Sequence, residues 1–174
     1  MTFASPFSRV FERPFGGVPS SAVVLTNFFN QLYTGTRNNF SGTLGFRFTP
    51  SRNIIVTALG RSISTAMAAD HVVRIWSETP TVLATVTVTS TSSVDALGYA
   101  YELLATPITL ISGTKYRIAS VETSGGDKWM DVSIVSNHLA SAAIDSACYA
   151  AGNAYPNTTY GGANQGYVLV TFYE

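Results

Sequence analysis

An all-β fold, an antiparallel two-sheet sandwich of jelly-roll type, is what this sequence predicts. Three observations carry that expectation. Between Thr43 and Ser77 three runs alternate apolar with polar residues at period two, and each ends at a turn signal. Shorter runs of the same kind recur to the C-terminus, separated by Gly, Pro, Asn and Ser clusters. No convincing helical stretch lies between them, and a βαβ architecture needs crossover helices.

The elements follow in order. Residues 1–20 form an arm distinct from the sandwich, which takes residues 21–174. Phe3, Phe7, Phe11 and Phe15 recur every four residues in the arm. Ser5-Pro6 can start a short helix there, and Pro14, Gly16 and Gly17 can end it. The plain reading folds these rings back over a sheet edge; the sharper one inserts them into a neighbouring subunit, because that much apolar surface is not left in water. Ala22 to Leu25 reads as a first strand, and 34–42 as a polar loop. Leu44, Phe46 and Phe48 then alternate with Gly45, Arg47 and Thr49. Ile54 to Leu59 is a more fully buried strand, with a bulge marked at Gly60. Residues 62–70 form a loop. His71 to Ser77 puts Val73 and Ile75 on one face, with His71 beside them, and Val72, Arg74 and Trp76 on the other. Thr81 to Thr89, Gly98 to Leu104, Thr114 to Val121 and Trp129 to Val135 follow as strands. Pro107 to Leu110 leads to a turn at Ser112-Gly113. Residues 137–165 read as long, small and irregular. Gly166 to Tyr173 closes the sheet, giving eight or nine strands.

Ten basic and ten acidic residues cancel, and no Lys/Arg cluster appears. Nucleic-acid binding through phosphates needs a concentrated positive field, so it is set aside. Near-zero net charge removes a brake on self-association. The single cysteine, Cys148, rules out an intramolecular disulfide. No run approaches the roughly 18 apolar residues of a membrane span. The first residues carry Arg9, Glu12 and Arg13 without the apolar core of a secretory signal. A chain of this kind is kept in a cytosol or exported by another route such as host lysis; the expected setting is a virion or an extracellular surface.

The series LGFRFTP (44–50), IVTALGR (55–61), HVVRIW (71–76), LATVTV (83–88) and TPITLISGTKYRI (106–118) resembles a bacterial domain of unknown function, number 4082. The resemblance covers about residues 44–135. It implies a galactose-binding-like sandwich, in a family met in large surface proteins beside sugar-active or immunoglobulin-like modules. It supplies no catalytic set to carry over. The Phe-rich leader and the Ala/Ser/Tyr segment depart from it and point to adaptation for assembly.

Catalysis is not expected. His71 and His138 are the only histidines, and His71 within a strand reads as packing. No G-x-S-x-G elbow occurs. Cys148 sits among small residues with no adjacent base. Asp70, Asp127 and Asp131 are loop-adjacent acids that could ligate a structural Ca²⁺; the plainer reading is solvated turn acids, and no cofactor is expected. Asn39 and Asn157 match the glycosylation acceptor pattern by chance. Saccharide binding needs rings to stack on a pyranose and amides or acids to take its hydroxyls. Trp129, Tyr149, Asn153, Tyr155, Tyr160 and Asn164, with Asn157 and Gln165, have that chemistry. The same residues also suit an ordered loop or a subunit contact. The first expectation for function is thus a non-enzymatic structural subunit of a virion, such as a phage decoration, tail or fibre-associated protein. It would meet copies of itself or other subunits through Phe3, Phe7, Phe11 and Phe15. The alternative is a carbohydrate-binding module of a bacterial surface protein.

Overall fold

A computed structural model describes residues 24–63, 67–131, 133–134, 137–167 and 169–174. The arm expectation for Phe3, Phe7, Phe11 and Phe15 lies outside them. The strands are β1 (Gly42–Pro50), β2 (Ile54–Ser62), β3 (His71–Ser77), β4 (Val82–Val88), β5 (Ser93–Val94), β6 (Tyr99–Leu110), β7 (Tyr116–Glu122), β8 (Ser133–Ile134), β9 (Ala142–Ala151), β10 (Thr158–Tyr160), β11 (Gln165–Gly166) and β12 (Val170–Tyr173). They form a six-stranded sheet, β10-β9-β1-β7-β3-β4, a four-stranded sheet, β12-β2-β6-β5, and the small pair β11-β8. All named pairings are antiparallel. This is the all-β sandwich that the alternation predicts. No helix among the described residues is long and apolar enough to cross a membrane.

The period-two positions do what their pattern requires. Phe46 pairs with Ile118, and Ile118 in turn with Ile75, so one row of side chains crosses three strands into the core. Leu44, Phe48, Val73 and Tyr116 flank that row and are buried. From the other sheet come Ile54, Val56, Leu59 and Phe172, all buried. Phe28 and Phe29 complete the centre: Phe28 stacks on Phe172 with ring centroids 4.5 Å apart, and Phe48 stacks on Phe172 at 5.2 Å. Full burial of a side chain of this size contributes about 1.5–3 kcal/mol.

Several local expectations are corrected. Val24 and Leu25 are not in a strand. Pairing begins two residues later, where Thr26 and Glu174 exchange backbone hydrogen bonds and Phe28 donates to Phe172. The irregularity in β2 falls between Val56 and Ala58, opposite β6, and not at Gly60. Residues 99–110 form one strand through Pro107. Trp129 makes an isolated bridge with Arg37, and among the described residues of that stretch 133–134 are the ones in a strand.

The largest correction concerns 137–165. Its centre, Ala142–Ala151, is a ten-residue strand lying between β1 and β10. Ala142, Ile144, Ser146, Ala147, Cys148 and Ala150 are all buried, so small side chains are what this place in the sheet accepts. Propensity yields to cross-strand pairing here. Gly45 on β1 shows how tight that layer is: a Cβ there would lie 1.9 Å from the Ile118 carbonyl oxygen and 2.6 Å from Ala119 Cα.

Candidate functional site

After β9 the chain runs back across the outer face of the six-stranded sheet as a strap. Ala154 N–H donates to Thr43 Oγ1, Arg74 donates to Asn153 Oδ1, and Arg117 donates to the Pro156 carbonyl. Tyr155 O–H donates to the Glu78 carbonyl, and its ring lies 5.0 Å under the Arg117 guanidinium and edge-on to Trp76. Asn153 and Tyr155 are thus committed to holding the strap down.

The strap leads into β10, and there an open cleft forms. It is lined by Arg37, Asp131, Tyr149, Tyr160, Gly161, Gln165 and Tyr167, with a volume of about 550 Å³. That size falls in the usual range for small-ligand sites. Each wall has a structural cause. Tyr149 projects from β9 and Tyr160 from β10; the register pairs Tyr149 with Thr158 and Tyr160 with Ala147, which puts the two tyrosines on one face along a diagonal. Gly161 has φ +74°, a left-handed turn that glycine adopts without strain. Gln165 Oε1 accepts from Gly162 N–H at 2.9 Å, which fixes the amide.

Arg37 is placed by a backbone clasp. Its N–H donates to the Trp129 carbonyl at 3.1 Å, and Trp129 N–H donates back at 2.8 Å. Gly35 permits this approach, since a Cβ there would lie 2.5 Å from Trp129 N. The guanidinium donates to Asp131 Oδ2 at 2.5 Å and to Asn39 Oδ1 at 3.2 Å, and sits 5.1 Å from the Trp129 ring centroid. Trp129 itself is 2% exposed. It props Arg37 and Tyr167 from below, the latter edge-on at 5.7 Å, and does not face the cleft as a stacking platform. Its indole Nε1 has no hydrogen-bond partner among the described residues. Burial and the neighbouring Asp131 carboxylate push the Tyr167 phenol up, so it stays a neutral donor at physiological pH.

Of the residues singled out in the sequence for sugar chemistry, the fold brings Tyr149, Tyr160 and Gln165 into one cleft. Asn164 stands beside them at φ 59°, its N–H donating to the Ile144 carbonyl. Arg37 and Tyr167 were not anticipated. Tyr167 sits in the alternating run 166–173 and reads there as strand; nothing near Arg37 in the sequence marks it.

A second polar cluster lies inside the sandwich. Arg61 on β2 donates to Glu122 Oε1 at 3.1 Å and Oε2 at 2.9 Å, a fork that ties the two sheets together. His71 Nδ1 lies 3.1 Å from Glu122 Oε1, and its Nε2 lies 2.9 Å from Asp127 Oδ2. Asp127 also accepts from the Ala68 and Ala69 amides. Arg61, His71, Glu122 and Asp127 are all buried. Burial alone would lower the imidazole's pKa, but its contacts with Glu122 and Asp127 outweigh that and raise it. Burial would raise Glu122 and Asp127; the His71 hydrogen bond, with Arg61 nearby, holds both below the usual carboxylate range. Below the raised pKa of His71, two positive groups face two negative ones.

That arrangement corrects the reading of Asp127 as a solvated turn acid or a Ca²⁺ ligand: both its oxygens are taken. Asp70 is exposed and Asp131 pairs with Arg37. Among the described residues no group of three or more His, Cys, Asp or Glu is arranged to hold a metal. Cys148 is fully buried, which pushes its thiol up to about 12.

Two antiparallel sheets packed face to face place this molecule among the small β-sandwich domains. Within that class the chain belongs to the family described as a domain of unknown function (DUF4082), whose model matches residues 33–168. The match extends past residues 44–135 on both sides. The Ala/Ser/Tyr segment is therefore part of the family domain and not a departure from it, and the cleft lies wholly inside. No curated protein matches the sequence.

Proposed function

We propose that this domain is a non-catalytic binding module that holds a saccharide in the tyrosine-lined cleft, on a virion or an extracellular surface. One observation carries the reading: Tyr149, Tyr160 and Tyr167 converge with Arg37, Asp131 and Gln165 in a single open depression. Phenol rings offer apolar faces to a pyranose, while the guanidinium, carboxylate and amide offer both donors and acceptors to its hydroxyls. Tyr160 is 61% exposed, an aromatic surface that a ligand would cover. The test is a glycan array followed by calorimetry on the hits, with Tyr160→Ala and Gln165→Ala. Both substitutions are expected to weaken binding at least about tenfold, near 1.4 kcal/mol. Retained affinity in both, or no bound glycan at all, would remove the reading.

A second reading, a structural subunit that assembles with copies of itself, is favoured by apolar side chains on the outer surface. Ile55, Val82, Leu83, Val94, Leu103 and Ile111 are each between 38% and 60% exposed. A strictly monomeric chain by light scattering would count against it.

A further inference from the structure

What a polar cleft admits depends first on its charge. Among the described residues that line this one, Arg37 is the cation and Asp131 the anion. The remaining polar side chains are the phenols of Tyr149, Tyr160 and Tyr167 and the amide of Gln165. The two charges cancel. The chain adds no strong field of its own, because its ten basic and ten acidic residues cancel as well.

An uncommitted arginine in such a place would favour an anionic sugar, because a guanidinium forks a carboxylate or sulfate through two N–H groups. Arg37 is committed. Its Nε and Nη2 both donate to Asn39 Oδ1 at 3.2 Å, which closes that edge to a fork. Its Nη1 donates to Asp131 Oδ2 at 2.5 Å. An anion arriving at Nη1 would be set against the Asp131 carboxylate. Both side chains are partly in water, so salt weakens this repulsion without removing it. A sugar hydroxyl meets no such penalty, since it can donate to one charge or accept from the other.

We infer that the cleft takes neutral pyranoses and discriminates against saccharides that carry a carboxylate or sulfate, with Asp131 as the residue that sets the preference. This rests on the saccharide reading and names the ligand class for the same site. Asp131 acts in two ways: it compensates the charge of Arg37, and it holds its own negative charge where an anion would have to bind. Removing that charge while keeping the side chain's shape would leave Arg37 uncompensated and turn the cleft from neutral to positive.

The experiment uses the full chain. It is screened on an array that carries neutral oligosaccharides beside counterparts bearing a uronate, sialate or sulfate group. The best neutral hit and its charged counterpart are then measured by calorimetry at low and high salt. The neutral member is expected to bind at least about tenfold more tightly, and the gap should narrow as salt is raised. Asp131→Asn, which keeps an acceptor oxygen for Arg37, should shrink that ratio about tenfold or reverse it, with an unchanged circular dichroism spectrum. Tyr160→Ala is the control: it should weaken both members and leave the ratio where it was. A charged counterpart bound as tightly as the neutral one, or a ratio indifferent to Asp131→Asn, would overturn the charge preference and keep the saccharide site. No glycan of either kind bound would remove both.

Discussion

Two places in this molecule combine an arginine, a carboxylate and aromatic or imidazole rings, and they differ in one respect. Around Arg61 every group is inside the sandwich and turned on another: Arg61 on Glu122, His71 on Glu122 and Asp127, Asp127 on two amides. Around Arg37 the arginine and Asp131 side chains keep 43% and 45% of their exposure, and three tyrosines stand at the rim. The first cluster has no capacity left for a ligand and holds the sheets in register. The second is paired too, but its groups stay open to water. Similar chemistry becomes structural or functional according to burial and saturation.

The largest expected effect tests the saturated side. Glu122→Gln leaves Arg61 and His71 short of their counter-charge, and should cost about 3–5 kcal/mol in denaturant unfolding. A loss under about 1 kcal/mol would mean that water enters the cluster and the contrast between the sites is false.

The pH dependence comes next. His71 binds its proton more tightly folded than unfolded, so its contribution is complete below its ordinary value of 6.5 and is lost as pH rises through the raised folded value. Glu122 and Asp127 bind protons less tightly when folded. Their contribution is complete above their ordinary values of 4.5 and 3.8, and is lost as pH falls toward the lowered folded values. Melting temperature should therefore peak in mildly acidic buffer. His71→Gln should lower stability there by about 1–3 kcal/mol and flatten the alkaline decline; an unchanged alkaline decline would assign it to another group.

Arg37→Lys keeps the charge but loses the fork to Asp131 and Asn39 and the planar contact with Trp129. A stability loss of no more than about 1 kcal/mol is expected, easily screened by salt, with a larger loss in saccharide affinity. The smallest stability effect belongs to Tyr160→Ala, within about 0.5 kcal/mol, since the ring is mostly in solvent. If this change destabilised the fold by several kcal/mol, the cleft would be structural like its buried counterpart.

Parts of this contrast were legible in the residues. The run His71–Ser77 has the same bounds in sequence and structure, because alternation over a half-buried strand is a local property. The alternation puts His71 beside Val73 and Ile75, and all three are buried, but its partners Glu122 and Asp127 lie more than fifty residues away, and no spacing announces them. The small residues of Ala142–Ala151 carry little strand propensity and read as irregular; pairing with β1 and β10 makes them a strand. Trp129 looked like a sugar platform by residue type, and packing turned it inward.

Taken alone, the order of residues determined the class of architecture, most strand positions and which alternating side chains form the core, because period-two burial needs no information beyond a few neighbours. Which tyrosines share a cleft, which arginine stays in water and which acid is consumed inside were decided by tertiary structure. Register between distant strands sets those distances, and distance with solvent access determines what a charged or aromatic group can still bind.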